Sequence, residues 1–341
     1  MRPAAVAAPH HGAAHRAAAH AAHASPWAFH FHWVAWLAVG ALALGYAVGV
    51  RRTMRSSGLS ARPGHRQLVQ LAAALVALLV ALTWPLADLA AHWSLTALVV
   101  QRLLLTLAAA PLLLLAAPAP LLAMVTRPAP VDRALEVLTR PVVAVIAFTA
   151  VAVGTLLSPA VAAQASSGWW RGATDVALLL AGLVLWSPVM RHVPGAHRTV
   201  PVGLAAYLFV QSVVPTFPAV IYVFARHPLY PAFAGVHQAF GMSPIVDQQL
   251  AGIVAKVATL PVLWSAAWAA LARAQRLEAD AVEEPLTWAE VERQLERAAR
   301  AERHPGLLER LRSGPAAAHE RGWADPPPPR SPADGPGSIG P

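Results

Sequence analysis

Long apolar runs, separated at short intervals by groups of arginine, set the pattern of this chain. A helix of about 20 mostly apolar residues is needed to cross a hydrocarbon core about 30 Å thick. Seven stretches meet that length, roughly 33–50, 68–86, 95–125, 141–163, 174–190, 202–225 and 248–272. The third is overlong, and Pro111, Pro118 and Pro120 fall in its second half. Proline removes a backbone donor and crowds the preceding turn, so this stretch is expected to kink or to end in an interfacial segment. The pattern predicts an all-α integral membrane protein, a seven-transmembrane helix bundle.

The charges between the runs give that bundle a direction. Arg51, Arg52, Arg55, Arg62 and Arg66 crowd the first connection, Arg127, Arg133 and Arg140 the third, and Arg191 and Arg198 the fifth. The alternate connections are poor in charge: 87–94 has no Arg or Lys, 164–173 has Arg171 alone, and 226–247 has Arg226 alone. Cytoplasmic loops carry the excess of Lys and Arg. The N-terminus is therefore expected outside and the C-terminus in the cytoplasm, with the lipid bilayer as the first partner.

Composition agrees. The 341 residues are 57% hydrophobic and only 13% charged, with a mean hydropathy of +0.49. That leaves too little polar surface for a soluble chain of this length. The absence of cysteine excludes a disulfide framework and thiolate metal sites. A pI near 11.2 raises the question of nucleic acid. Residues 1–272 carry 16 Lys and Arg against 5 Asp and Glu, however, while residues 273–341 carry 10 against 12. The excess thus lies between apolar spans, where it orients them, and no nucleic-acid face is expected.

The ends differ from the 33–272 membrane domain. Residues 1–32 form an Ala-rich tail with seven histidines, among them His20 and His23. Residues 273–323 are charged, and Thr287 to Glu290 match a capping box that would start a short helix with Trp288, Val291 and Leu295 on one face. Residues 324–341 are too rich in Pro and Gly to fold.

Several strings resemble one family. TWPLADLA closes the second span, VQRLLLTLAAAPLLLLAAP forms the third, AGLVLWSPV lies in the fifth, and HPLYPAF precedes SPIVDQQLAGI at the mouth of the seventh. In this order, over about residues 40–270, the chain resembles the CtaG family of cytochrome c oxidase assembly proteins. The resemblance implies a seven-span protein of the bacterial plasma membrane linked to copper-centre maturation. Its implied partners are cytochrome c oxidase subunits or other assembly factors. It also implies histidines where this chain has Leu98, Arg102, Leu157, Asp175 and Gln211, and a Met-Trp pair where it has Ala255 and Lys256. Ligands that suit copper are thus missing from the spans, and copper is a possible rather than an expected cofactor.

What the spans hold instead is Arg102, Gln211 and Lys256, with Asp88, Asp175, Asp247, Gln248 and Gln249 near their outer ends. At 1.5 Å per residue, Arg102 and Lys256 lie about 10 and about 12 Å below the outer mouths of their helices. An unpaired cation at the midplane costs about 2.5–3.5 kcal/mol, so both are expected to face the interior and find partners. One arrangement pairs Arg102 with Asp175, and Lys256 with Asp247 or a carbonyl. The other has Arg102 snorkel outward to Asp88 or to headgroups.

Metal-binding candidates remain outside the spans. His227, His237 and Met242 lie in the last outer loop, and His20 and His23 in the tail. Imidazole and thioether suit copper, and His-rich tracts collect such ions weakly. No Ser/His/Asp arrangement, phosphate loop or HExxH motif is present, so the chain is not expected to be an enzyme. The leading expectation is a non-enzymatic oxidase assembly factor that holds or delivers copper or stabilises an oxidase subunit. The alternatives are a small-ion or metal transporter or channel, and a structural membrane protein of copper resistance.

Overall fold

A computed structural model of the chain describes residues 25–57, 62–190, 193–197, 199–234 and 240–282, with positions 292, 295 and 296 beyond them. Every regular element among the described residues is helical. The chain divides into two compact units, Met1–Arg276 and Leu277–Pro341. The capping box at Thr287 lies outside the described residues.

Fourteen α-helices are described, α1 Trp33–Ser57, α2 His65–Leu82, α3 Leu86–His92, α4 Leu95–Leu103, α5 Ala110–Ala116, α6 Ala119–Thr126, α7 Ala129–Leu138, α8 Pro141–Gly154, α9 Ser158–Ser166, α10 Gly168–Trp186, α11 Pro201–Val213, α12 Phe217–Phe224, α13 Pro231–Ala234 and α14 Pro244–Val282. Five of the helical stretches are long and apolar enough to cross a membrane: Trp33–Ser56, His65–His92, Leu95–Ala116, Pro201–Phe224 and Pro244–Arg276. The count rises to six if α7 and α8, bent by 93° at Thr139 and Arg140, form one span. The chain is thus an all-α, multi-pass membrane protein. The expected stretch at 174–190 falls on α10, which opens with Arg171 and Asp175 among its first turns and is less apolar there. The first helix also runs further than its apolar run, carrying Arg51, Arg52 and Arg55 in its last turns.

The overlong third stretch breaks as its prolines require. Between α4 and α5, residues Leu104–Ala109 widen into a π-turn, and the Ala110 N–H reaches back to the Leu105 carbonyl. In that register the next N–H would bond the Thr106 carbonyl, but residue 111 is proline and has none. The Trp186 indole N–H fills the gap, donating to the Thr106 carbonyl at 2.9 Å. Gly182 lies one turn earlier on α10 and lets that helix approach. A Cβ there would sit 3.0 Å from the Thr106 Cα and 2.9 Å from the Ala110 Cβ. The AGLVLW string is therefore a docking face for the π-turn.

Trp186→Phe removes the indole donor, orphaning the Thr106 carbonyl, and its smaller ring also gives up part of the buried area. It is expected to cost about 1–3 kcal/mol, read as a lower midpoint of unfolding in detergent. An unchanged midpoint would mean that the Thr106 carbonyl finds another donor.

The helix of the third stretch ends at Ala116, and α6 follows Pro118 as a separate helix, so the chain breaks at one of the expected prolines. Leu185, Trp186, Leu208 and Leu263 pack one core, while Leu95, Val99, Tyr222, Tyr230 and Ala251 pack another. Between these two cores lies the polar interior.

Candidate functional site

Arg102 is the last-turn cation of α4 and is only 6% exposed. Its guanidinium donates to the Thr155 hydroxyl at 2.6 Å, to the Thr155 carbonyl at 3.0 Å and to Gln164 Oε1 at 3.0 Å. Thr155 follows α8, and Gln164 sits on α9 with its amide donating to the carbonyls of Thr155 and Ala160, each at 2.9 Å. The helix-to-helix corner at residues 155–157 exposes backbone carbonyls, and Arg102 fills that corner. Arg171 adds a bond to the Gln164 carbonyl at 3.2 Å.

This geometry differs from both expected arrangements. Among the described residues Arg102 makes no ion pair with Asp175 or with Asp88, which instead lies beside His30 and His32. Its partners are neutral oxygens, which take three of its N–H groups in place of a carboxylate. Asp175 does come close. With Leu98, Gln101, Arg102, Gln164 and Arg171 it lines a void of about 10 Å³. Gln101 Nε2, Arg102 Nε and Arg171 Nε find no acceptor among the described residues.

On its other side Arg102 lines a cavity of about 80 Å³ with Thr106, Gln211, Thr216, Tyr222 and Ala255, closed by Leu, Val and Phe side chains. Gln211 donates to the Tyr207 hydroxyl at 3.2 Å, and Tyr207 in turn donates to the Leu185 carbonyl at 2.8 Å. The Gln211 Oε1 has no donor among the described residues. Lys256 donates to the Thr216 hydroxyl at 2.8 Å, so its partner is neither Asp247 nor a carbonyl. Thr216 carries that cation to the wall of the cavity. Tyr222 and Tyr230 share a hydrogen bond, and the Tyr230 hydroxyl reaches the Leu156 carbonyl at 2.6 Å. Burial pushes the Tyr230 phenol above its ordinary range, keeping it a neutral hydrogen-bond donor.

Asp247 does different work. It is 1% exposed and sits in the first turn of α14, where its carboxylate accepts from the Ser94 hydroxyl at 2.7 Å and from the Leu95 N–H at 2.6 Å. The Thr96 N–H lies 3.4 Å from the same carboxylate, and the Thr96 hydroxyl donates to the Asp247 carbonyl at 2.9 Å. Asp247 is thus an anion capping the start of α4 from another helix, where unpaired N–H groups and the helix dipole favour negative charge. Gln248 accepts from the Leu229 N–H at 2.8 Å and ties the loop before α13 to α14. Gln249 is half-buried and joins none of these contacts.

The positions where the resemblance implies histidines therefore fall around Arg102 with one exception. Leu98 and Asp175 line the small void, Gln211 the larger cavity, and Arg102 both; Ala255, where the resemblance implies methionine, also lines the larger cavity. Leu157 caps the start of α9 and is 58% exposed. Sequence reasoning missed Thr155, Gln164, Gln101, Tyr222 and Tyr230. Gln164 carried no signal because its spacing means nothing until α9 folds back beside α4.

The metal candidates scatter. His227 is exposed and Met242 half-buried, and His20, His23 and His237 lie outside the described residues. Among the described residues no three His, Asp or Glu side chains gather in a way that holds a metal ion. Neither cavity is lined by His or Met, and Asp175 is the sole carboxylate on either. Two guanidiniums beside it repel a cation, so these residues do not fit copper.

Residues 44–276 match the family model described as cytochrome c oxidase caa3 assembly factor (Caa3_CtaG). Comparison with curated proteins and with solved structures gives no match.

Proposed function

The chain belongs to the cytochrome c oxidase caa3 assembly factor family, and from that membership we propose that it stabilises an oxidase subunit in the bacterial plasma membrane during assembly, carrying no copper in its spans. An assembly factor is non-enzymatic. One observation carries the choice between stabilising and carrying: Arg102 stands at the centre of the buried polar interior, held by Thr155 and Gln164. A cation so fixed occupies the room and the charge that a metal would need.

The proposed topology keeps seven spans, with α10 counted among them, the N-terminus outside and the C-terminus cytoplasmic. The arginines at the end of α1 and Arg133 of α7 support it, since both then face the cytoplasm. The partner on this reading is an oxidase subunit or another assembly factor within the bilayer.

A deletion strain tests the reading. Oxidase activity and the amount of assembled oxidase are expected to fall together, by about tenfold, and to return with the wild-type chain. Copper measured on the purified chain lacking residues 2–25 is expected to be far below one ion per molecule. Normal oxidase in the deletion strain would overturn the proposal. Stoichiometric copper in the truncated chain would replace stabilisation with carriage.

A further inference from the structure

We propose that residues 25–32 form a proton-operated strap over the end of the bundle that holds Asp88, closed when His32 carries two ring protons. The strap precedes α1 and is pinned by two aromatic contacts, Trp27 edge-on to Phe240 and Phe29 edge-on to Trp84, each with ring centroids 5.7 Å apart. Between the strap and the bundle end lies a cavity of about 340 Å³, lined by Ser25, Pro26, Ala28, His30, Asp88, His92 and Trp93.

The latch is a single carboxylate gripped by two imidazoles. His30 Nδ1 lies 3.3 Å from Asp88 Oδ2, and His32 Nε2 lies 3.2 Å from Asp88 Oδ1. His32 Nδ1 also lies 3.0 Å from the His30 carbonyl. Both ring nitrogens of His32 therefore face atoms that only accept. A neutral imidazole has one N–H, so with Nδ1 donating to the His30 carbonyl it leaves the Nε2 lone pair beside the carboxylate; the imidazolium keeps the Nδ1 bond and places positive charge 3.2 Å from Asp88 Oδ1. A proton taken from solvent onto the ring closes the latch, and its return to solvent opens it. His30 needs one N–H and works in either state.

Asp88 has other company. Arg171 and His92 both lie within electrostatic reach of it, and His30 within reach of His92. The Arg171 guanidinium does not deprotonate in proteins, so it sets a constant background. The imidazoles facing this carboxylate are those of His30, His32 and His92. The side chains of Asp88 and His32 are 14% and 22% exposed, open enough for proton exchange and closed enough for the contact to persist.

Hydrogen exchange of the full chain in lipid nanodiscs tests this. After correction for intrinsic rates, amides of residues 27–32 are expected to be about tenfold more protected at about pH 5.5 than at about pH 8. His32→Gln and Asp88→Asn are each expected to flatten that ratio below about twofold, while α2 amides keep wild-type protection as the check on folding. His92→Gln is expected to retain the ratio. Equal protection of the wild type at the two pH values would overturn the strap. So would a ratio that survives in both His32→Gln and Asp88→Asn, or one lost only in His92→Gln.

Discussion

Asp247→Ala is expected to destabilise the chain by about 3 kcal/mol, one of the two largest single-site effects anticipated. The carboxylate accepts from the Ser94 hydroxyl and the Leu95 N–H at 2.7 and 2.6 Å, with Thr96 N–H at 3.4 Å. Bonds to a charged acceptor contribute about 1.5–3 kcal/mol each, and truncation leaves donors buried without an acceptor. The loss of negative charge at a helix start adds to the cost. Ser94 still caps its own helix by accepting from the Ala97 N–H at 3.2 Å, which limits the damage to the contact between helices. Asp247→Asn keeps an acceptor oxygen and loses the charge, so about half the effect is expected. Unfolding in mixed detergent micelles measures both, and equal midpoints for wild type, Asn and Ala would disprove the cap. Because α4 carries Arg102, the Ala variant is also expected to loosen the Arg102 contacts to Thr155 and Gln164.

That result bears on how much the sequence could reveal. Span positions were legible because a 20-residue apolar run has few other uses, and the break near Pro111 was legible because proline lacks an N–H. The family was legible from ordered strings. The roles of those strings were not. Asp247 in DQQLAG reads as a candidate for the polar site, yet it caps α4 across a sequence separation of 152 residues. Trp186 lies in AGLVLWSPV, a string that carried only the resemblance, and it supplies the donor to the Thr106 carbonyl that Pro111 lacks. Each role depends on a partner from another helix, and one sequence gives no register between helices. The choice by Arg102 of Thr155 and Gln164 over Asp175 depended on where α9 folds back. Helix count is the remaining gap. The polar residues that open α10 lower its apolar character while placing Asp175 beside the site.

Gly252→Val is the second large effect, expected to reduce the folded chain recovered from membranes by about tenfold. Gly252 stands five residues after Asp247 on α14, where the helix lies against α12. A Cβ at this position would fall 2.5 Å from the Ala219 carbonyl oxygen, 2.9 Å from the Val223 Cγ2 and 3.1 Å from the Tyr222 Cβ. The Val223 side chain can rotate away, but a helical carbonyl cannot, so the two helices must separate. Overpacking of this kind costs about 1–3 kcal/mol and occasionally more, and glycine is the residue that lets membrane helices approach closely. Gly252→Ala is expected to fall between wild type and Val, since only one carbon must be accommodated. Separation of α12 from α14 would also carry Tyr222 and Thr216 away from Arg102 and Lys256, opening the cavity wall. The amount of chain and the amount of assembled oxidase, measured in the same membranes, tell the two consequences apart. Wild-type abundance for Gly252→Val would show that the helices have slack there and that the glycine is not a packing requirement. Normal abundance with lost oxidase would instead assign Gly252 to the shape of the site, and with it the wall formed by Ala219 and Tyr222.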